Sequence, residues 1–174
     1  MVISAGQHPA GLYELAAQLT REQRPFAVAT VLQAENSTPV KAGARALIEA
    51  GGRIHGTVGG GQVEAEALRR AETVIRLNQP VIFNFDLHGP SAGKPGPICG
   101  GAMRLLVAPG SSASERGYQR AAISLARRQK GLWITRVKSG RELQAASRFK
   151  SERSLKGKPL NTYGLSKRIV YENE

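Results

Sequence analysis

At 174 residues with 41% hydrophobic side chains, the chain is long enough for one domain with a real core, and its composition excludes collagen-like, low-complexity and wholly disordered classes. No apolar run approaches the roughly 18 to 20 residues needed to span a bilayer, and residues 1–10 hold His, Gln and Pro where a signal peptide needs an apolar stretch, so a soluble cytoplasmic protein is expected. The net charge of +12 is unevenly placed: residues 1–110 hold 10 Lys and Arg against 8 Asp and Glu, whereas residues 111–174 hold 15 against 5. A basic last third can bind anions through counterion release, but no aromatic RNA-reading pair or helix-turn-helix pattern accompanies it, which argues against nucleic acid as the main partner.

The predicted elements alternate. Pro9 can start a helix in which Leu12, Leu15, Ala16 and Leu19 recur at helical spacing up to the charged run at residues 21–24. Residues 26–32 are apolar without polar alternation, which predicts a strand covered on both faces. Residues 44–50 and 53–57 flank Gly51-Gly52, a pair that can supply the positive φ angles of a type I′ hairpin turn. A helix over 63–77 follows from Ala65, Ala67, Leu68, Ala71, Val74 and Ile75, then a strand over 81–85 and a long loop over 87–98 rich in proline and glycine. Residues 103–107 read as a strand, Ser114 as the N-cap of a helix through about 128, and residues 132–137 as a last strand. The class is α/β, a mixed sheet flanked by helices in a single domain with a basic C-terminal extension.

Three units are expected. Residues 1–110 form the ligand-binding part, and residues 111–138 add a helix and strand. That addition reads either as a partial repeat, since Ala16, Leu19, Gln23 and Val31 fall on Ala122, Leu125, Gln129 and Val137 when 12–31 is laid over 118–137, or as the match that any amphipathic helix followed by a strand gives. Residues 139–174 lack clear apolar periodicity and read as a weakly ordered basic tail.

The most informative stretch runs from Gly56 to Glu64, Gly-Thr-Val-Gly-Gly-Gly-Gln-Val-Glu. Glycines adopt positive φ and carry no Cβ, so Gly59, Gly60 and Gly61 let a ligand approach the backbone, and the helix behind them points its unpaired amides at the same place. A phosphorylated small molecule is the implied ligand. The contiguous glycines are neither a P-loop nor a dinucleotide fingerprint. The bland alternative is that they only permit close helix–strand packing. Ser37, Thr38 and Lys41 lie in a second strand-end loop, and Cys99-Gly100-Gly101 in a third, so hydroxyls, an ammonium, backbone amides and a thiol can meet in one pocket. Lys41 has the bland reading of a solvated lysine. Cys99 is either an inert buried thiol or, with glycine amides beside it, a thiolate that can touch a soft metal or a sulfur-rich cofactor. As the single cysteine it excludes an internal disulfide, and His8, His55 and His88 are too scattered for a ligand-spaced metal motif.

In this order, Ser37-Thr38-Pro39, Gly43-Ala44, the Gly56 to Glu64 run and Cys99-Gly100-Gly101 resemble the XdhC/CoxI family over about residues 10–109. Its members are accessory proteins of molybdenum hydroxylases such as xanthine dehydrogenase and carbon monoxide dehydrogenase. The resemblance implies that the chain binds the molybdenum cofactor (molybdopterin) as cargo, presents it for sulfuration and inserts it into an apo molybdenum hydroxylase, without itself turning over a substrate. It implies cofactor contacts from Ser37, Thr38, Lys41, Gly59, Gly60, Gly61, Gln62, Cys99, Gly100 and Gly101, with Cys99 toward the molybdenum. The implied partners are the apoenzyme and a sulfur donor such as a cysteine desulfurase. Family members carry Gly before the Ser/Thr-Pro pair and Arg after it, whereas this chain has Asn36 and Val40, leaving Lys41 or Arg45 as the substitute cation. Many also carry a C-terminal Rossmann-like domain with no counterpart here, so a stand-alone first domain is expected, with a hairpin edge able to pair with a second copy in a homodimer. Two other functions fit the residues: an enzyme acting on a phosphorylated pterin or nucleotide, and an anion or nucleic-acid binding module in the basic last third.

Overall fold

The computed structural model describes residues 9–87, 101–129, 131–138 and 143–151. In chain order these form α1 (Pro9–Arg21), β1 (Phe26–Glu35), β2 (Arg45–Glu49), β3 (Ile54–Gly56), α2 (Gly61–Leu77), β4 (Val81–Asp86), β5 (Ala102–Pro109), a single 3-10 turn (Gly110–Ser112), α3 (Glu115–Ala126), β6 (Gly131–Lys138) and β7 (Gln144–Ser151). Five strands make one sheet in the order β3-β2-β1-β5-β4, and β6 and β7 pair as a separate ribbon.

The α/β layering expected from the sequence is present, and its core explains which residues form which layer. β1 is central and buried on both sides as far as Leu32. Ala27, Ala29 and Val31 face α2, whose Val63, Ala67, Ala71 and Val74 recur at helical spacing and complete that layer together with Ile48, Leu105 and Val107. Phe26 and Leu47 face the other way, onto Leu12, Ala16 and Leu19 of α1 and Tyr118 of α3. The ribbon covers the rest of that face, where Val137 packs on Leu32, Leu106 and Ala108. Trp133 fastens it to both helices, with ring centroids 5.2 Å from Tyr13 and 5.3 Å from Tyr118. No helix among the described residues is long and apolar enough to cross a membrane.

Three details differ from the sequence reading. Every described strand pair is antiparallel. β1, β2 and β3 form a meander, and α2 crosses one face of the sheet from edge strand β3 to the other edge strand, β4, which runs in the same direction but is not its neighbour. The β2–β3 turn is not type I′: only Gly52 of its glycine pair has positive φ, at 77°, and the Gly52 amide donates to the Glu49 carbonyl at 2.8 Å. Finally, strand β7 lies within the stretch read as a weakly ordered tail. Ala145, Ser147 and Phe149 alternate with the exposed Gln144, Ala146 and Arg148, a period of two that small inward residues hide in the sequence and that pairing with β6 supports.

Candidate functional site

The register gathers the predicted loops at one end of the sheet. Glu35 at the end of β1 and Asp86 at the end of β4 both sit opposite Ala102 at the start of β5, while Gly56 at the end of β3 sits opposite Ala46. Residues 36–44 and 57–60 therefore leave from the same end, and the Leu87 amide donates to the Gly101 carbonyl there at 2.8 Å.

Glycine geometry ties the loops together. A Cβ on the buried Gly101 would collide with the carbonyl of Ser37 and stand 2.7 Å from that of Glu35, so only glycine lets β5 begin against this loop. A Cβ on Gly59 would meet the Pro39 ring at 3.0 Å and the Met103 methyl at 3.8 Å. Thus Ser37, Pro39, Gly59 and Gly101, from the three segments expected to converge, are neighbours. The Thr38 hydroxyl donates to the Val40 carbonyl at 2.8 Å, shaping its own loop, and Lys41 is exposed beside it. Cys99, Gly100 and His88 lie outside the described residues.

The triple glycine uses the backbone freedom that only glycine has. Gly59, Gly60 and Gly61 have φ of 125°, 72° and 49°. Gly60, the N-cap of α2, has ψ −178°, a combination that side chains make costly. Space in front of Gly60 and Gly61 is open: no atom lies within 4 Å of where a Cβ would stand on either.

All three glycines are expected to let a ligand approach the backbone, but the amides of two of them are engaged within the protein. The Gly59 amide donates to Thr57 Oγ1 at 3.1 Å, and the Gly60 amide donates to Glu64 Oε1 at 3.1 Å. Thr57 Oγ1 in turn donates to the same Glu64 oxygen at 2.6 Å. The amides of Gly61, Gln62 and Val63 open the helix, where no intrahelical acceptor exists for them. Glu64 is 5% exposed, and its position in the first turn also suits the helix dipole. Sequence reasoning passed over Thr57 and Glu64 as site residues. The available signal was an acidic residue a few positions inside the helix, which can reach back to an N-cap amide.

Of the two cations that could replace the family's arginine, Arg45 is excluded by its direction. It shares a sheet face with Leu47, on the side away from α2, and donates to the Tyr13 hydroxyl at 2.6 Å with its guanidinium 5.1 Å from the Trp133 ring centre. Lys41 is the cation left near the site.

A sequence model described as the XdhC and CoxI family matches residues 19–86. Residues 19–86 are therefore similar to that family. That segment holds Ser37, Thr38, Lys41, Thr57, the three glycines and Glu64, and it ends at the last residue of β4. The uncharacterized protein YqeB of Escherichia coli (strain K12) is 32% identical over 96 residues, 55% of this chain and 18% of YqeB. A crystal structure described as a xanthine dehydrogenase from Bacillus halodurans superposes with a TM-score of 0.63 and 22% identity, over 80% of this chain and 44% of that one. This second likeness, at 22% identity, concerns the fold alone. The chain spans less than half the length of either relative.

Proposed function

We propose that this protein is an accessory factor of molybdenum hydroxylases of the xanthine dehydrogenase or carbon monoxide dehydrogenase type, and that it binds the molybdenum cofactor as cargo and delivers it to the apoenzyme. The observation that carries this reading is the meeting of three loops at one sheet end, Ser37 against Gly101 and Pro39 against Gly59, beside the open faces of Gly60 and Gly61. The family of residues 19–86 and the name of the Bacillus halodurans relative favour a molybdenum hydroxylase as client.

In this reading the Gly61 and Gln62 amides meet the pterin phosphate, with Lys41 as the nearby cation, and Ser37 and Thr38 contribute oxygen contacts. Gly59 and Gly60 give the loop its shape and its flat, side-chain-free surface. Cys99-Gly100-Gly101 carries a thiol to the molybdenum and dithiolene end, a soft centre that suits sulfur. A sulfur donor such as a cysteine desulfurase would act on the cargo while it is held.

The test is the molybdenum and pterin content of the protein after anaerobic incubation with released cofactor, for the unaltered chain and for Gly60→Val and Cys99→Ser. Near-stoichiometric loading that both substitutions reduce supports the reading. A folded, unaltered protein that takes up no cofactor, or equal loading of all three, overturns it.

A further inference from the structure

Three consecutive glycines do not hold a shape unaided. Gly59, Gly60 and Gly61 occupy positive φ, and glycine has more conformational freedom to lose on ordering than any other residue. Gly60 also caps α2 without a side chain to receive the helix amides. The conformation must therefore be imposed by a neighbour, and the hydrogen bonds identify it.

Glu64 Oε1 accepts from the Gly60 amide at 3.1 Å and from the Thr57 hydroxyl at 2.6 Å, and that hydroxyl accepts from the Gly59 amide at 3.1 Å. The hydroxyl has one proton. Because its oxygen is already receiving the Gly59 amide, its proton goes to Glu64, so a single carboxyl oxygen orients two glycine amides, one directly and one through Thr57. Glu64 itself is held by the helix: its amide donates to the Gly60 carbonyl at 3.3 Å, and its neighbours Val63 and Ala67 are packed in the core.

We propose that Glu64 is the positioning residue of the cofactor site. It turns the Gly59 and Gly60 amides inward, and by doing so leaves the Gly61 and Gln62 amides as the donors of this loop that face outward. The functional consequence rests on the cofactor-binding reading above; the effect on the loop does not. Geometry, rather than charge, is the requirement, because a glutamine at the same place offers an equivalent oxygen to both donors, whereas alanine offers none.

The experiment follows amide hydrogen exchange by NMR, residue by residue, on the full chain without cofactor, comparing the unaltered protein with Glu64→Ala and Glu64→Gln. The Gly60 amide should exchange at least about tenfold faster in Glu64→Ala and near the unaltered rate in Glu64→Gln, with the amides of β1 unchanged in both. Equal Gly60 exchange in the unaltered protein and Glu64→Ala overturns the proposal. Should Glu64→Ala loosen β1 as well, Thr57→Val takes its place: the Gly59 amide should be released while Gly60 keeps its protection, and loss of neither overturns the relay. Cofactor retention is then measured on the same variants. A roughly tenfold weakening in Glu64→Ala that Glu64→Gln restores supports the positioning role, and undiminished retention in Glu64→Ala with a freed Gly60 amide overturns it. If the unaltered protein retains no cofactor while the exchange pattern appears as stated, the cofactor reading fails and Glu64 remains the residue that sets the loop.

Discussion

The carbonyl of Ser37 occupies the place where a Cβ of Gly101 would stand, so the first strand's exit loop and the start of β5 are in backbone contact. Overpacking a buried backbone contact costs about 1–3 kcal/mol. Gly101→Ala should therefore lower stability by about 2 kcal/mol in denaturant titrations and weaken cofactor retention by parting the two loops. Gly117→Ala is the control. Its new Cβ would stand 3.4 Å from the Ser114 hydroxyl within α3, and the change should be neutral or stabilising by about 0.5–1 kcal/mol, because alanine suits a helix better than glycine.

Gly60 offers a different kind of sensitivity. Nothing crowds its missing Cβ, so the cost of Gly60→Ala is the backbone conformation alone, about 1–3 kcal/mol. Thermal unfolding of Gly60→Ala should show this loss although open space surrounds the new methyl group. A melting temperature equal to that of the unaltered protein would mean that the loop relaxes readily, and that the positive φ is no constraint.

Arg45 should matter to the fold and not to the cargo. Arg45→Met removes the bond to the Tyr13 hydroxyl and the cation over Trp133, while keeping a long apolar stem and relieving the buried Nε that has no partner. A stability loss of about 1–2 kcal/mol is expected from these opposing effects. Trp133 is the chain's single tryptophan, so its fluorescence reports the change directly. Cofactor retention should be unaltered; its loss would show that Arg45 serves the site despite facing the other side of the sheet.

Local signals in the sequence carried most of the elements. Ser114 caps α3 by accepting the Gly117 amide at 3.1 Å, α2 ends at Leu77 where its apolar spacing stops, and β1 is buried on both sides because its apolar run has no polar alternation. What escaped depends on partners distant in the chain or on hydrogen-bond direction. β7 has one large inward side chain, Phe149, and is a strand because β6 lies beside it, with Phe149 6.4 Å from Trp133. At the site, residue types marked the glycines and the loops that meet them. Which way each amide points could not be read from type, since it depends on the hydrogen bonds that Thr57 and Glu64 make to the loop.

Tyr118 gives the fold a signature at alkaline pH. Its phenol is 2% exposed and donates to the Gly110 carbonyl at 3.0 Å. Burial raises its pKa well above the ordinary value, against the opposing pull of Arg45 and with a smaller push from Tyr13. The folded state thus holds the proton more tightly than the unfolded chain, where tyrosine ionises near about pH 10. Its contribution to stability is complete below that pH and is lost as pH rises through the higher, folded pKa. Denaturant midpoints should be insensitive to Tyr118 through pH 9 and then fall, with a slope from this group of at most about 1.4 kcal/mol per pH unit. Tyr118→Phe should cost about 1 kcal/mol at neutral pH through the lost hydrogen bond and should flatten the alkaline decline. An equally steep decline in Tyr118→Phe would assign the alkaline sensitivity to other groups and remove Tyr118 as its source.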